Sequence, residues 1–252
     1  MSAPASPVSA HAASSGISLD RARVTLSGRI ILHDLTLHLT EARIGIVGRN
    51  GSGKTTLLRL IAGLIAPDAG RVRIDGLDPA TDRKGTLAAL GILFQNPDHQ
   101  ILFPTVEEEL AFGLRQQGRT QHDALAAARA ALAAEGRAHW GPVPTSTLSQ
   151  GQQHYLCLMT VLLMQPRTIL LDEPFAGLDL PTQDRLSRRL AALPQRLVTI
   201  SHDPAAVADA DRVLWIDAGR ITADGSPAVV LPAFRAEMAR IGERDADTDL
   251  AG

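Results

Sequence analysis

Ile44-Gly45-Ile46-Val47-Gly48-Arg49-Asn50-Gly51-Ser52-Gly53-Lys54-Thr55-Thr56 reads as an apolar strand, a glycine-rich turn and the opening of a helix. The turn fits the pattern G-x-x-x-x-G-K-[ST], beginning at Gly48 and ending at Thr55. Glycines at these positions leave room for backbone N–H groups to converge on phosphate oxygens, and the following helix turns the positive end of its dipole toward them. Lys54 is then placed to reach the β- and γ-phosphates, and the Thr55 hydroxyl to ligate Mg²⁺. The helix runs to about Ala62 and stops at Gly63. This strand–turn–helix context separates the pattern from a chance glycine-rich turn, so every residue from Gly48 to Thr56 is an expected phosphate contact.

Outward from this unit, apolar and polar residues alternate over 17–19, 24–26 and 35–39, around Ser27-Gly28, as in an antiparallel pair. Further strands are expected at 72–74, 92–94, 168–171, 197–200, 213–216 and 220–223. From Thr105 to Gly136 the composition turns helical: Thr105 and Glu108 fit a capping box, and 124–134 is rich in Ala. Residues 140–147 hold two prolines and a glycine and read as a loop; helices are expected at about 150–164 and 182–193. Strands alternating with helices predict a parallel sheet with helices on its faces.

The 252 residues suit one large domain with ample core, and 45% hydrophobic against 21% charged residues excludes a disordered or fibrous chain. Lys and Arg total 25 against 27 Asp and Glu, a balance without the basic footprint of a nucleic-acid binder. The single cysteine, Cys157, has no partner within the chain and reads as a packed thiol in a reducing compartment. The longest apolar stretch, 155–164, is too short for a membrane span. Residues 1–16, rich in Ser, Ala and Pro, lack the regions of a secretory signal and read as a disordered tail; 17–240 form the domain, and 241–252 an acidic flexible tail. His33 and His38 make no metal-binding spacing, and Arg185, Arg188 and Arg189 read as a solvated helix face.

Thr168-Ile169-Leu170-Leu171-Asp172-Glu173 is a buried strand that ends in two carboxylates. Asp172 is expected to hold Mg²⁺, and Glu173 to orient or deprotonate the water that attacks the γ-phosphate. About twenty residues earlier stands Leu148-Ser149-Gln150-Gly151-Gln152, and a late Ser201-His202-Asp203 follows the strand at 197–200. The phosphate loop, this LSGGQ-like signature, the Leu-Asp-Glu-Pro strand end and the late histidine, in this order, resemble the nucleotide-binding subunit of an ABC transporter over residues 17 to 230. The resemblance implies an α/β P-loop NTPase fold: a RecA-like parallel core, an N-terminal antiparallel β-subdomain and a helical signature subdomain at about 96–165. It implies ATP as substrate and Mg²⁺ as cofactor. Gln95 matches the Q-loop glutamine that senses Mg²⁺ and the attacking water, and His202 the switch histidine at the γ-phosphate. Ser149, Gly151 and Gln152, with Asp179 of the D-loop, would complete the nucleotide site of a second subunit, so each site is shared between two chains.

Phe94-Gln95-Asn96-Pro97-Asp98-His99-Gln100-Ile101-Leu102-Phe103-Pro104-Thr105-Val106-Glu107-Glu108-Glu109-Leu110-Ala111-Phe112-Gly113 is similar to the ATPases of energy-coupling-factor importers. That narrower likeness implies a peripheral position on the cytoplasmic membrane face, a homodimer or a pair with a paralogous ATPase, and two membrane partners: a transmembrane coupling subunit and a substrate-binding subunit. Within the family it suggests biotin as the cargo, with cobalt or nickel as the alternative. A soluble ABC ATPase of DNA repair or translation is the reading outside transport, which the single cassette and the short helical segment fit poorly. Glu107, Glu108 and Glu109 are open to two readings, contact with arginines of the coupling subunit or pairing with their own helix dipole. The chain departs from the family pattern at three places. Gln150 stands where glycine is usual, His154 and Tyr155 replace basic residues, and no aromatic lies between Met1 and Phe94, which leaves about Leu26 where an aromatic usually stacks on adenine.

Overall fold

The computed structural model describes residues 15–242. The tails expected at 1–16 and 241–252 lie outside the described residues except at their inner ends. There Gly16 donates its N–H to Asp75 at 2.8 Å, and residues 241 and 242 continue the last helix.

Two sheets make up the body. The first is antiparallel, in the order β2 (Arg29–Leu39), β1 (Ile17–Leu26), β4 (Ala69–Ile74). The expected strands at 17–19 and 24–26 are one strand with a bulge: Arg21 has φ 45°, and the pairing shifts register between Leu19 and Ala22. Every large apolar residue from Ile17 through Val24 still turns inward.

The second sheet has six strands, ordered β5 (Leu90–Leu93), β6 (Thr168–Asp172), β7 (Arg196–Ser201), β3 (Arg43–Val47), β8 (Arg212–Asp217), β9 (Arg220–Gly225). All neighbours are parallel except the β8–β9 hairpin. The strand that carries the glycine-rich turn, β3, is therefore central, and its buried run of Ile and Val suits a strand covered on both faces. One face of this sheet, the first sheet and α1 (Lys54–Ile61) enclose the main core around Ile44, Ile46, Leu57 and Leu170.

Two helices run outside the sequence expectation. α2 (Arg83–Ala89) is short and capped by Asp82, whose carboxylate accepts the Gly85 N–H at 2.8 Å. α7 (Pro227–Gly242) packs Val230, Leu231 and Phe234 against Trp215 of β8. The helical stretch from Thr105 divides at Gly118 into α3 (Val106–Gln116) and α4 (Gln121–Ala134). With α5 (Gln150–Leu163) they enclose a separate cluster around Leu110, Ala128, Leu132 and Leu156. The opposite side of α5 packs Cys157, Leu158 and Val161 on the sheet beside α6 (Leu180–Ala191). One helix thus belongs to both the lobe and the body.

Candidate functional site

Parallel register assembles the site. Val47 of β3 lies opposite Ser201 of β7, and Asp172 of β6 opposite Ile200. The residues that immediately follow these strand ends, Gly48, His202 and Glu173, therefore meet at one edge of the sheet. A cleft of about 410 Å³ opens there. It is lined by Asn50, Gly51, Gly53, Lys54, Thr55 and Thr56 of the loop and first helix, and by Gln95, Glu173 and His202 from the neighbouring strand ends.

The loop is shaped as an anion cradle. Gly51 and Gly53 have φ of 78° and 105°, which a side chain would strain. A Cβ on Gly48 would lie 2.3 Å from the Ile216 carbonyl oxygen, so no side chain fits. Arg49 O accepts the Ser52 N–H at 3.2 Å, and Ser52 O accepts the Gly219 N–H at 2.9 Å, fixing the turn at both ends. Lys54 folds over it, donating from Nζ to the carbonyls of Gly48 and Arg49 at 2.8 and 2.9 Å. Burial lowers the lysine's pKa, while the charges of Glu173 and Asp172 act to raise it. The Ser52 hydroxyl is buried without a hydrogen-bond partner among the described residues. A cradle holding a buried lysine and an orphaned hydroxyl fits a polyphosphate.

Opposite the cradle, Glu173 sits in the left-handed region at φ 48°, a strained position for a non-glycine residue. Four contacts hold it. Its N–H donates to Ile200 O at 2.9 Å, its carboxylate accepts from Ser201 Oγ and from His202 N–H, each at 2.8 Å, and His202 Nδ1 lies 2.8 Å from Oε1. Sequence reasoning assigns Ser201 no role; the signal that could have found it is a hydroxyl residue directly before the histidine at the end of an apolar strand. Asp172 is buried below the cleft, with its pKa raised by burial and by Glu173 and lowered by Lys54, Arg59 and a hydrogen bond from Thr55. Thr55 and Gln95 thus line the cleft, with Asp172 beneath it in hydrogen-bond reach of Thr55. This all-oxygen set, around a carboxylate that burial makes costly to ionise, fits a hard divalent cation such as Mg²⁺.

Ser149, Gly151 and Gln152 do not line that cleft. They lie in a separate depression of about 270 Å³ beside Leu178 and Thr182. Ser149 caps α5: its Oγ accepts the Gln152 N–H at 3.4 Å, and the Gln152 side chain accepts the Ser149 N–H at 2.8 Å. Gln150 rests on Gly177, where an added Cβ would lie 2.7 Å from its Nε2, so the departure from glycine brings a contact with the adjoining loop. Asp179 caps α6 through the Thr182 N–H at 3.0 Å.

The three acids after the Q-loop stretch all have partners inside the chain. Glu107 pairs with Arg129 at 2.8 Å, Glu108 closes the capping box with Thr105, and Glu109, buried, accepts the N–H groups of Leu102 and Phe103 at 2.8 and 2.9 Å. Burial raises the Glu109 pKa despite those two hydrogen bonds. Leu26 does line the cleft, together with Ile31, so the wall beside the loop is aliphatic. Arg189 departs from the solvated face expected of it by pairing with Glu135. Burial pushes the Cys157 thiol up to about 12, as expected for a packed, unreactive group. No helix among the described residues is long and apolar enough to cross a membrane.

The family model for the ABC transporter matches residues 32–176. The biotin transport ATP-binding protein BioM of Rhodobacter capsulatus is 55% identical, over 87% of this chain and 95% of its own. The protein of the same name from Rhizobium etli is 37% identical, over 87% of this chain and 97% of its own. Among solved structures, cbiO1 of Clostridium perfringens, described as part of the ABC transporter complex cbiONQ, superposes with a TM-score of 0.73 at 27% identity, covering 92% of this chain and 96% of that one.

Proposed function

The chain belongs to the ABC transporter family of ATP-binding ATPases, and from that premise we propose that it is the motor subunit of an energy-coupling-factor importer, most consistent with biotin as cargo. The observation that carries the ATPase chemistry is the Glu173–His202 pair lining one cleft with Lys54. The 55% identity to a biotin transport ATP-binding protein over nearly the full length of both chains supports the cargo.

In this reading ATP lies with its phosphates along Gly48 to Thr56, where loop N–H groups, the α1 dipole and Lys54 offset their charge. Lys54 leaves the carbonyls of Gly48 and Arg49 for the β- and γ-phosphate oxygens. Thr55 and Asp172, with Gln95 nearby, would hold Mg²⁺, which would supply neutralisation of the phosphate charge. Glu173 accepts the proton of the attacking water, and its oxygens stay oriented because Ser201 and His202 fix them. His202, more than half exposed and directed into the cleft, is free to contact the γ-phosphate when ATP is present.

Within one chain Ser149, Gly151 and Gln152 lie apart from the cradle. We therefore assign them, with Asp179, to the nucleotide of a second copy. Closure of two copies on ATP and reopening after hydrolysis is the motion passed to the membrane subunits. Purification of tagged chain from its native membranes tests the importer role. Co-purification of a small transmembrane coupling protein and a substrate-binding membrane protein is expected; a permease pair with a periplasmic binding protein, or soluble partners alone, would overturn it.

A further inference from the structure

The signature segment opens α5, and the side chain one turn further on, Tyr155, is tied to two other parts of the molecule. Its hydroxyl donates to Glu135 Oε2 at 2.5 Å, at the C-terminal end of α4. The other oxygen of Glu135 accepts from Arg189, on α6 of the body. The Tyr155 ring meets Trp140 edge-on at 6.3 Å. The Arg137 guanidinium lies over both rings, 4.4 Å from the Trp140 centroid and 4.6 Å from that of Tyr155.

Charge and burial favour this arrangement. Burial alone would raise the Glu135 pKa, yet the hydrogen bonds from Tyr155 and Arg189 and the charges of Arg189 and Arg137 hold it below the usual carboxylate range. The guanidinium between two aromatic faces adds cation–π attraction, stronger where the rings are buried, and Trp140 is. Among the described residues, Glu135–Arg189 is the ion pair that joins the α3–α4 lobe to α6. The lobe is otherwise attached through α5, whose two faces pack into separate cores, and through the segment leading into α3, where Ile101 packs against both cores. Arg137 and Tyr155 line the same depression as Ser149, Gly151 and Gln152, so this charged contact bears on where those residues stand relative to the body.

We propose that Glu135, Tyr155 and Arg189 form a latch between lobe and body that positions the signature segment for the nucleotide of a second copy, with Arg137 clamping the tyrosine in place. None of the four touches the cradle, so they are positioning residues, and the inference rests on the two-copy reading above.

The test measures steady-state ATP hydrolysis against protein concentration, and ATP binding by equilibrium titration, for wild type and for Glu135→Arg, Arg189→Glu, the double swap, Arg189→Lys and Tyr155→Phe. Each of Glu135→Arg and Arg189→Glu is expected to lower kcat about fivefold, with the ATP dissociation constant and KM within twofold of wild type. The double swap and Arg189→Lys should recover most of the loss. Tyr155→Phe, which keeps the ring and cannot disturb the fold by charge, should give a smaller loss of the same kind. Unchanged kcat in the folded single variants, or a folded swap with no recovery, overturns the latch while leaving the two-copy reading intact. A wild-type chain that hydrolyses ATP while its mass, measured by light scattering under the assay conditions, stays that of one copy overturns the two-copy reading and the latch with it.

Discussion

Leu26 and Ile31 give the nucleotide cleft an aliphatic flank beside the phosphate loop. An aliphatic side chain covers a base by area alone, whereas aromatic stacking is worth about 1–3 kcal/mol per base. ATP affinity should accordingly be modest, and ATP and GTP should bind within about tenfold of each other in equilibrium titration. Leu26→Trp should tighten ATP binding by about tenfold; an unchanged dissociation constant would place the base elsewhere. A second residue-scale expectation concerns His154, buried on α5 with Nδ1 3.3 Å from Gln150 O. Burial holds its pKa below the ordinary histidine range, only partly offset by the backbones of Gln150 and Gln95. The unfolded chain then binds the proton more readily than the folded one. The stability His154 contributes is present above about pH 6.5 and is lost as pH falls below it. His154→Gln should flatten the fall of the thermal midpoint between about pH 6.5 and 5. An identical fall in variant and wild type would exclude His154 as its source.

Among the elements, those whose termini carry chemistry were the legible ones. β3 and α1 announce themselves because a buried run, three glycines and a lysine must coincide to hold phosphate, and β6 because two acids follow an apolar run. α7 was not, since Pro232 lies inside it and its apolar positions give no clear helical period. α2 is two turns long and depends on one cap. The bulge in β1 rests on a positive φ at Arg21, a residue type with no preference for it, and so left no mark in the sequence. The sequence showed that Glu107 to Glu109 begin a helix but left two uses for them open, because their partners Arg129, Leu102 and Phe103 are set by tertiary packing. Glu109→Ala would strip two backbone N–H groups of their acceptor, at a cost of about 2 kcal/mol, or roughly 4–8 °C in thermal midpoint. Glu109→Gln, which keeps one oxygen, should cost less; equal midpoints for Ala and wild type would show that water replaces the carboxylate.

At the scale of the whole molecule, a central parallel sheet gathers strand ends from residues 47, 172 and 201 at one edge, and that convergence is what the order of motifs along the chain anticipates. What no spacing could convey is the distance between the cradle and the signature, or the Glu135–Arg189 contact that ties the lobe to the body. The central claim is that Glu173 takes the proton from water in a site completed by a second copy. It is tested most directly by replacing Glu173 with Gln and measuring, on the same samples, ATP hydrolysis and molecular mass in the presence of Mg²⁺ and ATP. The variant should bind ATP with wild-type affinity, hydrolyse it at a rate lower by about two orders of magnitude or more, and run at twice the mass of the nucleotide-free chain. Hydrolysis near the wild-type rate, or a monomer that stays monomeric with ATP bound, would contradict the claim.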